Sequence, residues 1–191
     1  MQSKEITLKS LLFGILIFLA SCKTIHSSKE EESDCNLIAV DEKPNISSGS
    51  FFQTHYDDFV TSRTPGIFWH SIHPGHSKIA IIELNETGVQ GRIIGESGYQ
   101  KIISFSIQEQ KAFKSLLSDT PQINLVNDCR GSLPTHPTIT NVFIKNEDSV
   151  KFIYYSIHSP FLLSNQSKAT LGNAYKLLEI TSYKMHHSQK L

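Results

Sequence analysis

The chain has 191 residues, and its 18 basic and 18 acidic side chains leave no formal net charge. Nothing in that balance points to nucleic acid, whose binding calls for a basic face. The length suits one domain of ordinary size, large enough to bury a core.

In chain order, Lys4 and Lys9, offset by Glu5, precede an uncharged apolar run from Leu11 to Ala20. A basic start, a short apolar middle and a small-residue exit form the pattern of a secretory signal. The run is shorter than the roughly 20 apolar residues that a spanning helix needs. Leu19-Ala20-Ser21-Cys22 ends it. Over residues 1–22 the chain resembles a bacterial lipoprotein signal with its lipobox. The resemblance implies cleavage before Cys22, a diacylglycerol on the Cys22 sulfur and Cys22 as the new N-terminus. Stable anchoring takes two or more acyl chains, at about 0.8 kcal/mol per buried methylene. Where inner-membrane retention depends on Asp at the next position, Lys23 implies transfer to the outer membrane. The competing reading is an ordinary secretory signal, or an uncleaved N-terminal anchor.

Residues 22–49 read as a flexible tether. The block Ser27, Ser28, Glu30, Glu31, Glu32, Ser33 and Asp34 is too polar to bury a core alone. Lys29-Glu30-Glu31 resembles the acidic surface-export signals of Bacteroidetes lipoproteins, set several residues farther from the cysteine. With Cys22 committed to lipid, Cys35 and Cys129 remain. An exported pair in an oxidising compartment forms a candidate disulfide. Two unpaired, small apolar residues are the alternative.

Residues 50–184 form the expected domain, followed by a tail at 185–191. Ile-rich Ser77–Leu84 suits a strand buried on both faces. Asn85-Glu86-Thr87-Gly88 signals a turn, and Val89–Ile94 returns as its partner, with Gly91 a candidate bulge. Tyr99–Phe105 makes a third strand. Ser106 and Glu109 have capping-box spacing, and Ala112, Phe113, Leu116 and Leu117 form one apolar helical stripe. Thr138–Lys145 and Val150–His158 form a hairpin around Asn146–Ser149. In its first strand Val142 and Ile144 alternate with outward residues. A second helix fits residues 167–180, where Leu171, Ala174, Tyr175 and Leu178 share a face. The fold class that follows is α+β: a mainly antiparallel sheet of about five strands, with two helices packed on one face.

Chemistry-bearing residues are sparse. His70, His73 and His76 stand three apart in Trp69-His70-Ser71-Ile72-His73-Pro74-Gly75-His76. Imidazole suits zinc, copper and nickel, so these three are the candidate transition-metal ligands, with His55 and Asp57 upstream. The bland reading is a polar loop of exposed histidines. Cys129 near His136 offers a thiol and a base, but a structural disulfide explains that cysteine more simply. Neither G-x-S-x-G nor H-E-x-x-H occurs. Asp148-Ser149-Val150 resembles the O-glycosylation acceptor of Bacteroidetes exported proteins, with Ser149 as its residue. Trp69 reads as core.

The expected function is a lipid-anchored envelope protein, most simply a non-enzymatic binding or accessory module of the immunity or assembly-factor kind. Its partners would be the membrane, through lipid, and an envelope protein. No resident cofactor is implied apart from the transition metal of the histidine loop. Metal binding through that loop and hydrolysis by an unrecognised site are the alternatives.

Overall fold

The computed structural model describes residues 35–42, 49–129, 138–157 and 163–187, with the backbone alone at Asp128 and Cys129. The chain runs through β1 (Cys35–Ala39), α1 (Ser50–Thr61), β2 (Gly66–His73), β3 (His76–Asn85), β4 (Gly88–Gly95) and β5 (Gln100–Ile103). It continues through α2 (Ile107–Ser118), β6 (Ile123–Cys129), β7 (Ile139–Lys145), β8 (Val150–Ser156), α3 (Asn165–Leu171) and α4 (Asn173–His187). One sheet holds all eight of these strands in the order β1-β6-β8-β7-β2-β3-β4-β5. Each neighbouring pair is antiparallel except β6 with β8.

The fold is therefore α+β, with eight strands and four helices among the described residues where five and two are expected from sequence. Three strands escape the sequence reading for different reasons. Cys35–Ala39 lies within the segment read as a tether, yet it pairs along β6. Gly66–His73 carries the histidines that suggest a polar loop. Ile123–Cys129 extends a short apolar run through polar Asn127 and Asp128.

Side-chain alternation at period two separates the faces of the sheet. One face presents Ile67, Trp69, Ala80, Ile82, Val142, Ile144 and Tyr154 to a core completed by Phe113 and Leu117 of α2, Leu171 of α3, and Leu177 and Leu178 of α4. Trp69 is buried there, as the sequence implies. The other face presents Phe68, Ile79, Ile81, Phe143 and Ile153 to Phe52 and Phe59 of α1. Phe52 meets Phe68 edge-to-face at 5.5 Å, and each fully buried Phe contributes on the order of 1.5–3 kcal/mol. Covering the second face explains why Ile79–Ile82 are all buried. It also corrects the outward assignment on β7, where Asn141, Phe143 and Lys145 are as buried as Val142 and Ile144.

Local chemistry sets the element ends. Ser106 Oγ accepts from Glu109 N at 3.3 Å, and Ser106 N donates to Glu109 Oε2 at 2.7 Å, so the expected capping box is formed. The second expected helix is two: Gly172, at φ +51°, separates α3 from α4. Helix α4 continues to His187 with Met185 buried, so the first residues of the expected tail are packed structure. Gly91 stays in ladder register and forms no bulge. A Cβ there would press on Ile103 Cβ at 3.0 Å, so close packing accounts for the glycine.

Candidate functional site

The three histidines do not converge. His70 and His73 are an odd number apart on β2, so their rings leave opposite faces. His70 is buried against the Phe52 ring, 4.9 Å between centroids. Asn141 Nδ2 donates to its Nδ1 at 3.2 Å, leaving Nε2–H to donate to Ser77 Oγ at 2.8 Å. Those partners hold the neutral ring, and burial pushes its pKa down to about 4. His73 and His76 oppose each other across the β2–β3 turn and stack at 4.9 Å. His73 also bonds Ser71 Oγ at 3.1 Å and Thr138 Oγ1 at 3.0 Å. The ligand set His70, His73 and His76 is thus not assembled. No group of three metal-ligating side chains occurs among the described residues. His55 and Asp57 lie on α1, where Asp57 Oδ1 accepts from Gln53 Nε2 at 2.7 Å.

Sequence reasoning misses a polar chain at the C-terminal end of α1. Lys145, 2% exposed, donates from Nζ to the carbonyls of Phe59 and Ser62, and to Ser62 Oγ at 2.8 Å. Its ammonium also lies 4.6 Å from the centre of the Phe59 ring. Burial lowers the Lys145 pKa, opposed by nearby Glu83. Three acceptors nevertheless engage all three hydrogens of the ammonium, which leaves no lone pair to act as a base. The group is a latch on the last turn of α1, where orphan carbonyls need donors. Ser62 Oγ reaches Glu83 Oε1 at 3.4 Å, and Glu83 Oε2 pairs with Arg92 at 3.5 Å. The signal for Lys145 lay in period two: it shares a face with Phe143.

Arg92 and Glu83 lead out of the core to a hollow of about 560 Å³, whose lining includes Ile81, Gln90, Ile102 and Phe105. It occupies the β4–β5 end of the sheet. Large apolar side chains gather at the same end. Tyr99 precedes β5, Ile102 lies within it at 79% exposed, and Ile107 opens α2 at 74% exposed. These are three of the six large exposed hydrophobic residues among the described ones.

At the opposite end α3 bonds part of β1, while Asn36, Ile38 and Ala39 stay exposed. Ser164 N donates to Cys35 O at 3.4 Å, and Leu37 N donates to Ser167 Oγ at 3.3 Å, so the start of α3 bonds the outer edge of β1 at Cys35 and Leu37. Cys35 is buried and disulfide-bonded. In the β1–β6 register it stands directly opposite Cys129. Directly opposed antiparallel residues have Cα atoms about 4.5–5.5 Å apart, within the span of a disulfide.

Ser149 is exposed in the β7–β8 turn, which Asn146 Oδ1 organises by accepting from Asp148 N at 3.2 Å and Ser149 N at 2.9 Å. Cys22 and His136 lie outside the described residues, and no helix among those described is long and apolar enough to cross a membrane. Comparison with protein-family models, curated proteins and solved structures finds no match for this chain.

Proposed function

We propose that this chain is a lipid-anchored envelope protein, held at the outer membrane through Cys22, whose α+β domain binds an envelope protein. Anchoring is supported by Leu19-Ala20-Ser21-Cys22 behind a short apolar run, and the outer-membrane address by Lys23. The observation that carries the binding reading is the exposed apolar surface at the β5 end of the sheet. There Ile102 is exposed on the rim of an open hollow, and Tyr99 and Ile107 are exposed at the same end of the sheet, outside the lining of the hollow. Exposed apolar clusters rimmed by polar groups mark interaction sites on soluble domains. An immunity or assembly accessory role suits such a domain on a lipid tether.

Two modifications belong to the same proposal. Cys35 pairs with Cys129, closing the edge strand onto β6, and Ser149 is the glycosylated residue of the exposed turn. For the binding reading, a photo-crosslinking residue is placed at position 102, and a control at Val60, exposed on α1. In the intact envelope, position 102 should yield one discrete protein adduct and position 60 none. Equal labelling from both positions would contradict the proposal.

A further inference from the structure

We infer that β5 is a docking edge for an extended, alternating apolar and acidic segment of a partner protein, which adds antiparallel as a ninth strand. This inference rests on the binding reading above and specifies its occupant.

Backbone geometry dictates the extended form. Gly95 N donates to Tyr99 O at 2.9 Å, which makes Gly95 and Tyr99 a hydrogen-bonded position of the β4–β5 hairpin. Bonded positions alternate along an antiparallel ladder. Lys101 and Ile103 therefore bond Ile93 and Gly91, their register partners. Gln100 and Ile102 turn their N–H and C=O groups outward, and among the described residues no strand follows β5 in the sheet. The flanking groups are already occupied. Ser104 O accepts from Lys184 Nζ at 3.0 Å. Beyond the end of β5, Gln110 closes the β4 edge, accepting from Val89 N at 3.3 Å and donating to Phe105 O at 3.2 Å. An incoming strand that exchanges both bonds with Gln100 and with Ile102 satisfies this remaining stretch of edge.

Side chains set the chemistry of that strand. Its residues opposite Gln100 and Ile102 lie on the side of the hollow, beside exposed Ile102. Arg92 there is already paired with Glu83. Apolar side chains fit those positions. Its residue opposite Lys101 lies on the three-helix side, where an acidic group complements the ammonium. Opposite charges directly across a strand pair stabilise it.

A second copy of β5 fits poorly. A two-fold axis at Lys101 sets Lys101 against Lys101, and like charges directly opposed are destabilising. An axis at Ile102 sets Gln100 against Ser104, whose carbonyl Lys184 already occupies. An axis at Gln100 sets Ile102 against Gly98, which sits in the turn at φ +89°.

The test uses the full chain, ¹⁵N-labelled, and the end-blocked peptide Val-Glu-Val-Glu-Val. Binding should slow amide exchange at Gln100 and Ile102 and leave Lys101 and Ile103 unchanged. Methylating the peptide's valine nitrogens, which face β5 in this register, should weaken binding by about tenfold or more, the equivalent of roughly 1.4 kcal/mol of hydrogen bonding. Methylating the glutamate nitrogens should not. Ile102→Pro should abolish binding yet fold, because its outward N–H serves no internal ladder. Ile102→Lys should abolish binding without any change to the backbone.

Equal effects of the two methylation patterns, or full binding by Ile102→Lys, would overturn the inference. So would absence of peptide binding, or protection of the same two amides by concentration-dependent dimerisation alone. A discrete envelope crosslink from position 102 combined with no peptide binding would sink strand addition and leave the broader binding reading standing. Peptide binding without any envelope crosslink would do the reverse.

Discussion

At the scale of single residues, His70 shows how a polar side chain can serve the core. Its ring touches Phe52, and its two nitrogens are held by Ser77 and Asn141. Burial lowers its pKa from 6.5 to about 4, so the folded protein resists a proton that the unfolded chain accepts. Between those two values the unfolded state binds more protons, and stability rises with pH. The contribution is fully present above pH 6.5 and is lost as pH falls through 4. A depression of that size corresponds to roughly 3 kcal/mol. His73, also depressed by burial and by the charges of Lys78, His76 and His186, acts in the same direction. Urea unfolding of wild type and His70→Gln from pH 7 to pH 4 should show a steep loss for wild type and a shallower one for the variant. Parallel curves would contradict this account of His70. The three-residue spacing of the histidines was legible in the sequence, but its meaning depended on backbone type. On a strand, that spacing sends successive rings to opposite faces.

At the scale of elements, one unrecognised helix explains most of the departures from the sequence reading. Helix α1 has weak local signals: aromatic and β-branched residues, Asp57 and Asp58 in its second half, and no side-chain cap at Gly49. Its stability comes from seating Phe52 and Phe59 on the sheet and from the Lys145 latch, both long-range in sequence. Without it, β7 reads as one-faced, and His70, Asn141 and Lys145 look exposed. By contrast α2 announces itself through the Ser106–Glu109 capping box, a purely local device. The β3–β4 and β7–β8 hairpins were legible for the same reason, since short polar turns join strongly apolar runs. Lys145→Met keeps most of the buried stem but strands the Phe59 and Ser62 carbonyls. It should cost about 1–3 kcal/mol, the penalty of unsatisfied buried acceptors. Chemical denaturation would measure the loss, with Lys145→Arg as a partial rescue. A neutral effect of Lys145→Met would remove the latch from the account.

At the scale of the whole molecule, the two ends of the sheet differ: α3 bonds part of β1, whereas β5 ends the sheet among the described residues. Pairing of β1 with β6 joins Cys35 to the sheet, so the domain begins earlier than composition implies. Charged and polar residues around Cys35 hid that strand, and its pairing with β6 is a contact across about 90 residues. If Cys35 and Cys129 are bridged, reduction or Cys35→Ser should cost roughly 2–5 kcal/mol. Unfolding with and without reductant measures it, and identical midpoints would contradict the pairing. The β5 end, with Ile102 at its tip, was not legible, because exposure follows from strand order and not from local pattern.

The central claim is that lipid on Cys22 holds this domain on a membrane. Cys22→Ala removes the proposed acceptor sulfur and changes none of the described residues. Fractionation of cells carrying wild type or the variant tests the claim most directly. The account predicts wild type in the outer-membrane fraction, extractable only with detergent, and the variant absent from that fraction. Equal membrane association of the two proteins would contradict it.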